Sequence, residues 1–331
     1  MEKIVIGVDV SKEKLDFCLL ENGKILKEWI IANVTETITE SLSSLKIDLQ
    51  QILVCAEYTG QYTYPLCCAC QGTGVDLWLE NPAQIKFRSG VQRGKNDRGD
   101  ARRIAAYALR FQDEARLFSL PEKNIASIKI LISERDMYVC DKGKFQGQLT
   151  DQKRFMSEKD YEQKAQRLQK LIIELDAAIE EIEKQIEQLI KSDETLSRQR
   201  NILCSVDGIG KQTALKMIVS TNAFERFKDP RKFCCYAGVA PFKYTSGSSL
   251  HSKSKVSKRA DKSIKSLLHM AALSVIAHQR GELYDYFLRK VAEGKNKMTV
   301  LNAVRAKLIY RMFAVIRNNK IYEKNYAIIL A

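Results

Sequence analysis

The sequence predicts an α/β domain followed by a mostly helical remainder, with a long helical arm between them. Three observations carry this. Short apolar runs separated by turn residues recur through the first 80 residues. An apolar repeat at alternating spacings of three and four runs from Ala165 to Leu189. Beyond residue 200 there are 24 Lys and Arg against 8 Asp and Glu, while the first 200 residues hold 30 against 32. The whole net charge of +14 therefore sits in the last part of the chain. A localised positive excess of this kind points to a polyanionic partner, most simply nucleic acid.

The opening run Ile4-Val5-Ile6-Gly7-Val8-Asp9-Val10 is apolar at odd and even positions alike, as in a strand covered on both faces. Its one carboxylate, Asp9, is costly to bury without a cation nearby. It either marks the strand end, pairs with a lysine, or ligates a metal. Residues 14–20 and 24–31 complete an antiparallel meander, with Glu21-Asn22-Gly23 as the second turn. A helix is expected over 36–45, a short buried strand over 52–56 ending at Glu57, a helix over 62–71, and a strand over 75–79 closed by Asn81-Pro82. The order β-β-β-α-β-α-β is that of a ribonuclease-H-like (RuvC-like) core.

Residues 86–100 read as a polar loop that feeds a helix over 97–111, with Asn96 as its cap. Asp97 and Asp100 stand three apart in its first turn and so share a face. Acidic residues also suit a helix N-terminus for the dipole alone. Helical patterns then cover 123–156 and 161–192. The second carries Ala165, Leu168, Ile172, Leu175, Ile179, Ile182, Ile186 and Leu189, a coiled-coil seam that either folds back on the preceding helix or joins two subunits. The expected domains are 1–115, 116–198 and 199–331.

In the last domain Asp207-Gly208-Ile209-Gly210-Lys211 has the pattern of a helix-hairpin-helix element, whose Gly208, Gly210 and Lys211 suit a backbone phosphate. A plain glycine turn fits the same residues. A Ser- and Lys-rich loop follows over 244–262, with Lys253, Lys255, Lys258 and Arg259 as further candidate phosphate contacts. Helices are expected over 262–279, 283–292 and 299–316. Cys67, Cys68 and Cys70 offer one zinc-like spacing with no second pair near it, so reduced thiols in a packed helix are the better expectation. No leader-like stretch opens the sequence and no apolar run is long enough to span a bilayer, which leads us to expect a cytoplasmic, nucleoid-associated prokaryotic protein without membrane contact.

Asp9, Glu57, Asp97 and Asp100 fall at places that converge in a ribonuclease-H-like sheet. Four crowded carboxylates repel unless cations neutralise them, and all-oxygen ligands suit Mg²⁺, with Mn²⁺ as a substitute. Two such ions would stabilise both the entering and the leaving oxygen of a phosphodiester displacement.

The segments Gly7-Val8-Asp9-Val10-Ser11-Lys12, Glu57-Tyr58-Thr59-Gly60, Asn81-Pro82-Ala83-Gln84 and Lys95-Asn96-Asp97-Arg98-Gly99-Asp100-Ala101 resemble the DEDD-type insertion-sequence transposases. That family includes the Piv-type invertases and the bridge-RNA-guided recombinases. Val206-Asp207-Gly208-Ile209-Gly210, Tyr236-Ala237-Gly238-Val239-Ala240-Pro241 and Tyr244-Thr245-Ser246-Gly247 extend the likeness in the family's order. The family often has Thr where Asn96 stands. The resemblance implies a RuvC-like domain, a coiled-coil arm and a smaller transposase domain. It also implies DNA strand exchange guided by a structured non-coding RNA, a serine nucleophile at Ser246, and a dimer or tetramer whose sites combine two subunits. Two other expectations stay open. One is a junction-resolving nuclease that uses water as nucleophile. The other is a non-catalytic nucleic-acid scaffold.

Overall fold

The computed structural model describes residues 4–90, 97–242, 245–246, 250–251, 255–256 and 260–323, which form two compact units, residues 1–120 and 121–331. In the first, β1 (Ile4–Val10), β2 (Lys14–Glu21) and β3 (Lys24–Ala32) form the antiparallel meander, while β4 (Ile52–Glu57) and β5 (Asp76–Glu80) run parallel to β1 on its other side. The strand order is β3-β2-β1-β4-β5.

Strand alternation divides the side chains between the two sheet faces. Ile4, Ile6, Val8, Leu15, Phe17, Leu19, Val54 and Ala56 pack with α1 (Thr35–Ser43) and α2 (Tyr64–Thr73). Val5, Leu53, Cys55 and Trp78 pack on the opposite face against Ile104, Tyr107 and Ala108 of α4 (Asp97–Arg110). A short helix, α3 (Pro82–Arg88), stands where the sequence reading placed the start of a loop. The Asn81 side chain accepts from the Ala83 N–H at 2.9 Å and Pro82 presets the first turn, so the same dipeptide that ends β5 starts a helix. Asn96, expected to cap α4, lies outside the described residues.

In the second unit α5 (Lys123–Asp151) and α6 (Glu158–Lys191) lie side by side, tied by ion pairs of Arg135 with Glu183 at 2.7 Å and of Lys142 with Asp176. Ser157 caps α6 by accepting from the Asp160 N–H at 3.2 Å. Every one of the eight seam positions between Ala165 and Leu189 is buried or half-buried. Within the single chain α6 packs along α5. Ile182, Ile186 and Ile190 continue into a core with Leu196, Ile202 and Leu203 of α7 (Glu194–Cys204). That core also takes in α8 (Lys211–Thr221), α9 (Pro230–Tyr236), α10 (Lys262–Ala277), α11 (Glu282–Ala292) and α12 (Lys297–Asn318). The arm and the C-terminal helices thus share one hydrophobic cluster. Among the described residues no helix is long and apolar enough to cross a membrane.

Candidate active site

The α4 face of the sheet is where the sequence's carboxylates meet. Odd positions of β1 point to it, so Asp9 does. Asp9 pairs across the ladder with Asp16 of β2, and Val8 pairs with Ala56, which sets Glu57 beside it on the neighbouring strand. The helix α4 lies on β1 at Gly7, where an added Cβ would meet backbone atoms of Ala101 and Ala105. That close approach sets the first turn of α4, with Asp97 and Asp100, above the Asp9 end of the strand.

The electrostatics register this crowding. Burial, then the charges of Asp100, Asp97, Glu57 and Asp16 in that order, push the Asp9 carboxyl up from 3.8 to about 6. Two protein cations sit among the others. The Lys14 ammonium donates to Asp97 Oδ2 at 2.9 Å and lies 3.0 Å from Asp16 Oδ2. Those bonds raise the pKa of Lys14, the one to Asp97 most. Arg103 places Nη1 at 2.8 Å from Asp100 Oδ1 and Nη2 at 3.5 Å from Glu57 Oε1. Among the described residues no Lys or Arg pairs with Asp9.

Sequence reasoning missed Asp16, Lys14 and Arg103. Asp16 is 2% exposed; among the described residues neither of its oxygens accepts a well-formed hydrogen bond, and the Lys14 ammonium lies 3.0 Å from Oδ2 as an ion pair. The signal that could have found it is the short turn after Val10: pairing position 9 with position 16 puts two carboxylates opposite each other. Arg103 follows Asp100 by three residues on a helix face that the sequence already marked as functional.

The donor set suits a hard divalent cation, since every candidate ligand is a carboxylate oxygen and, among the described residues, no Lys or Arg offsets the charge of Asp9. Among the described residues, however, no three acidic, histidine or cysteine side chains are placed to hold a metal ion. Lys14 and Arg103 stand among these carboxylates, in ion pairs with Asp97, Asp100 and Glu57. The cysteines add nothing to such a site. All nine are free, and burial first among other causes pushes Cys67 and Cys70 up to about 12.

In the second unit the serine segment departs from a plain loop. Pro241–Phe242 pairs with Lys255–Val256, and Thr245–Ser246 with Leu250–His251, as two short antiparallel ladders that put Ser246 opposite Leu250. The base of this ribbon is fixed. Asp261 N–H donates to Tyr236 O at 3.1 Å, Tyr236 Oη donates to Asp261 Oδ2 at 3.2 Å, and Asn302 Nδ2 donates to Val239 O at 2.6 Å. Lys253, Lys258 and Arg259 lie outside the described residues, and Lys255 is described in its backbone alone. The turn 205–210 joins α7 to α8 as anticipated. Gly208 has φ +82° and lies against α10, where a Cβ would meet Val275 at 2.3 Å and the Ala271 carbonyl at 2.8 Å. Packing alone therefore demands glycine there. Gly210 opens α8 without a side-chain cap, and Lys211 is exposed beside it.

The family profile DEDD_Tnp_IS110, described as a transposase, matches residues 6–156, and that of the IS116/IS110/IS902 transposase family matches residues 200–288. The chain belongs to this transposase family. Similar relatives include the pilin gene-inverting proteins of Moraxella bovis and Moraxella lacunata, each 24% identical over 98% of this chain and 99% of theirs. The transposase for insertion sequence element IS1111A of Coxiella burnetii is 23% identical over 84% of this chain and 79% of its own. A solved Thermus structure, T. thermophilus RuvC in complex with Holliday junction substrate, aligns with 35% of this chain and 99% of its own at 15% identity and a TM-score of 0.27, too low to carry weight. This chain is thus a DNA transposase of the DEDD type, and the match to the DEDD profile takes in most of the first unit and runs on into α5 of the second.

Proposed function

We propose that this transposase cleaves and rejoins DNA at a site made of Asp9, Glu57, Asp97 and Asp100, with Ser246 as nucleophile and a structured non-coding RNA as guide. The observation that carries it is the set of carboxylates gathered on one sheet face and felt together at Asp9. These four residues would hold Mg²⁺, or Mn²⁺ in its place. The ions would supply charge neutralisation at the phosphate and a lowered pKa for the attacking hydroxyl.

The chain's own parts then divide the work. The serine oxygen forms a bond to phosphorus as a deoxyribose oxygen leaves, taking up the serine proton, and a second strand's hydroxyl reverses the step. A serine hydroxyl is a weak nucleophile at neutral pH and needs such activation. The segment that carries Ser246 is braced where it joins α9 and α10. We place the partner carboxylates on another subunit of a dimer or tetramer. Gly210, Lys211 and the basic residues Lys253, Lys255, Lys258 and Arg259 would contact phosphates and steer the duplex, with Gly208 shaping the turn that presents them.

The relatives' names support recombination over simple cutting: two are pilin gene-inverting proteins and one is the transposase of an insertion sequence. The test is to stop the reaction with denaturant and map the protein–DNA adduct by mass spectrometry. An adduct on Ser246, lost in Ser246→Ala, supports the reading. Cleaved DNA that never carries protein would replace it with the water-using nuclease.

A further inference from the structure

Asp16 is a buried carboxylate set directly opposite another carboxylate, Asp9, on a face already crowded with negative charge. That arrangement is unfavourable unless a cation is supplied with it. The cation comes from the same strand. Lys14 and Asp16 are two residues apart on β2 and so share the α4 face, and the ammonium lies 3.0 Å from the Asp16 carboxylate.

A purely structural pair would end there. The Lys14 ammonium instead also bonds Asp97, 83 positions away on another element, and Asp97 is one of the four residues assigned to metal binding. The two ends differ in kind. The Asp16 side chain is 3% exposed, while those of Lys14 and Asp97 are 42% and 48% exposed. The Asp16 contact is therefore an anchor in the protein interior, and the Asp97 contact is an open ion pair of the weak, solvent-screened type. A lysine stem is flexible and its ammonium a compact point charge, suited to swinging between the two.

We propose that Lys14 is a tethered cation that occupies the Asp97 side of the carboxylate cluster until a divalent ion takes its place, with Asp16 retaining the ammonium once it is displaced. Lys14 and Asp16 are positioning residues in this scheme, and together they regulate metal loading. The inference rests on the metal reading proposed above.

The probe is Mn²⁺ alone, titrated by electron paramagnetic resonance against the full-length chain and its variants. Lys14→Met by itself strands a buried Asp16 charge and risks misfolding, so the principal variant is Lys14→Met/Asp16→Asn. That pair leaves the net charge of the cluster unchanged, and circular dichroism checks its fold. We expect it to bind Mn²⁺ about two- to fivefold more tightly than the parent, the range that one half-exposed ion pair spans. Asp9→Asn is the reference and should lose the tight Mn²⁺ site. Binding by the double variant that is equal to or weaker than the parent's, with Asp9→Asn still defective, overturns the tethered-cation role alone. Full binding by Asp9→Asn overturns the metal reading, and the inference with it.

Discussion

The Cβ that Gly7 lacks would lie 2.2 Å from the backbone nitrogen of Ala105 and 2.3 Å from the carbonyl oxygen of Ala101. No other residue lets α4 come this close to β1, and α4 carries Asp97 and Asp100. The backbone of a helix cannot give way as a flexible side chain can. Gly7→Ala should therefore cost at least the upper part of the usual overpacking range, about 3 kcal/mol, and disturb the carboxylate site with it. Gly72→Ala, where an added Cβ meets nothing within 4 Å, serves as the control. Thermal melts of the two variants check this, and equal melting points would contradict it.

Asp9 gives the metal-free protein a defined pH response. Its folded carboxyl titrates at about 6, above the ordinary 3.8 of an unfolded chain. Below about 3.8 both states hold the proton and the group contributes nothing. Between the two values the folded state holds it more tightly, and above about 6 the folded state carries an unfavourable ionised Asp9 in full. Asp9's contribution to stability in chelator should thus fall as pH rises from about 4 to 6. Asp9→Asn should remove that part of the slope. Melts of both proteins across this window decide it, and superimposable profiles would refute the coupling.

Ile186 and Ile190 are 3% and 0% exposed where the arm enters the helical core, whereas Ile173 is 66% exposed on the same helix. Ile186→Ala and Ile190→Ala should each lose about 2–5 kcal/mol, and Ile173→Ala under about 0.5 kcal/mol. Urea titrations followed by circular dichroism measure the difference. A similar loss at all three positions would mean that the outer face of α6 is covered in solution.

The basic excess makes a separate demand. Affinity for duplex DNA should fall steeply with salt, and Lys211→Ala should weaken it with a slope shallower by about one. Fluorescence anisotropy across a salt series reads this directly. A slope unchanged in Lys211→Ala would remove Lys211 from the interface.

Much of this was legible in the sequence because single residues broke a pattern. Asp9 interrupts an apolar run, Glu57 closes a short buried strand, and Asp97 with Asp100 opens a helix. Asp16 broke nothing. It occupies an ordinary place in Lys14-Leu15-Asp16-Phe17, and only the register of β2 against β1 reveals what it faces. Lys14 and Arg103 escaped for a related reason: long cationic side chains belong on any surface, and their roles depend on which carboxylates tertiary structure brings to them. The helix α6 was readable from the period between Ala165 and Leu189, because it is long enough for that period to show. The ladders around Ser246 are two residues long, too short for alternation to show at all. The roughly two turns of α3 were lost in the same way, with Ile85 its one buried residue.

The central claim is that the carboxylate cluster on the α4 face performs the DNA chemistry. Excision of the gene with its own flanking DNA from a plasmid, scored in cells by amplification across the rejoined junction, tests it most directly. Asp9→Asn at parental abundance and with parental DNA binding should reduce junctions by more than about a hundredfold, as loss of a group stabilising transition-state charge does. Junctions formed at the parental frequency by folded, DNA-binding Asp9→Asn would contradict it.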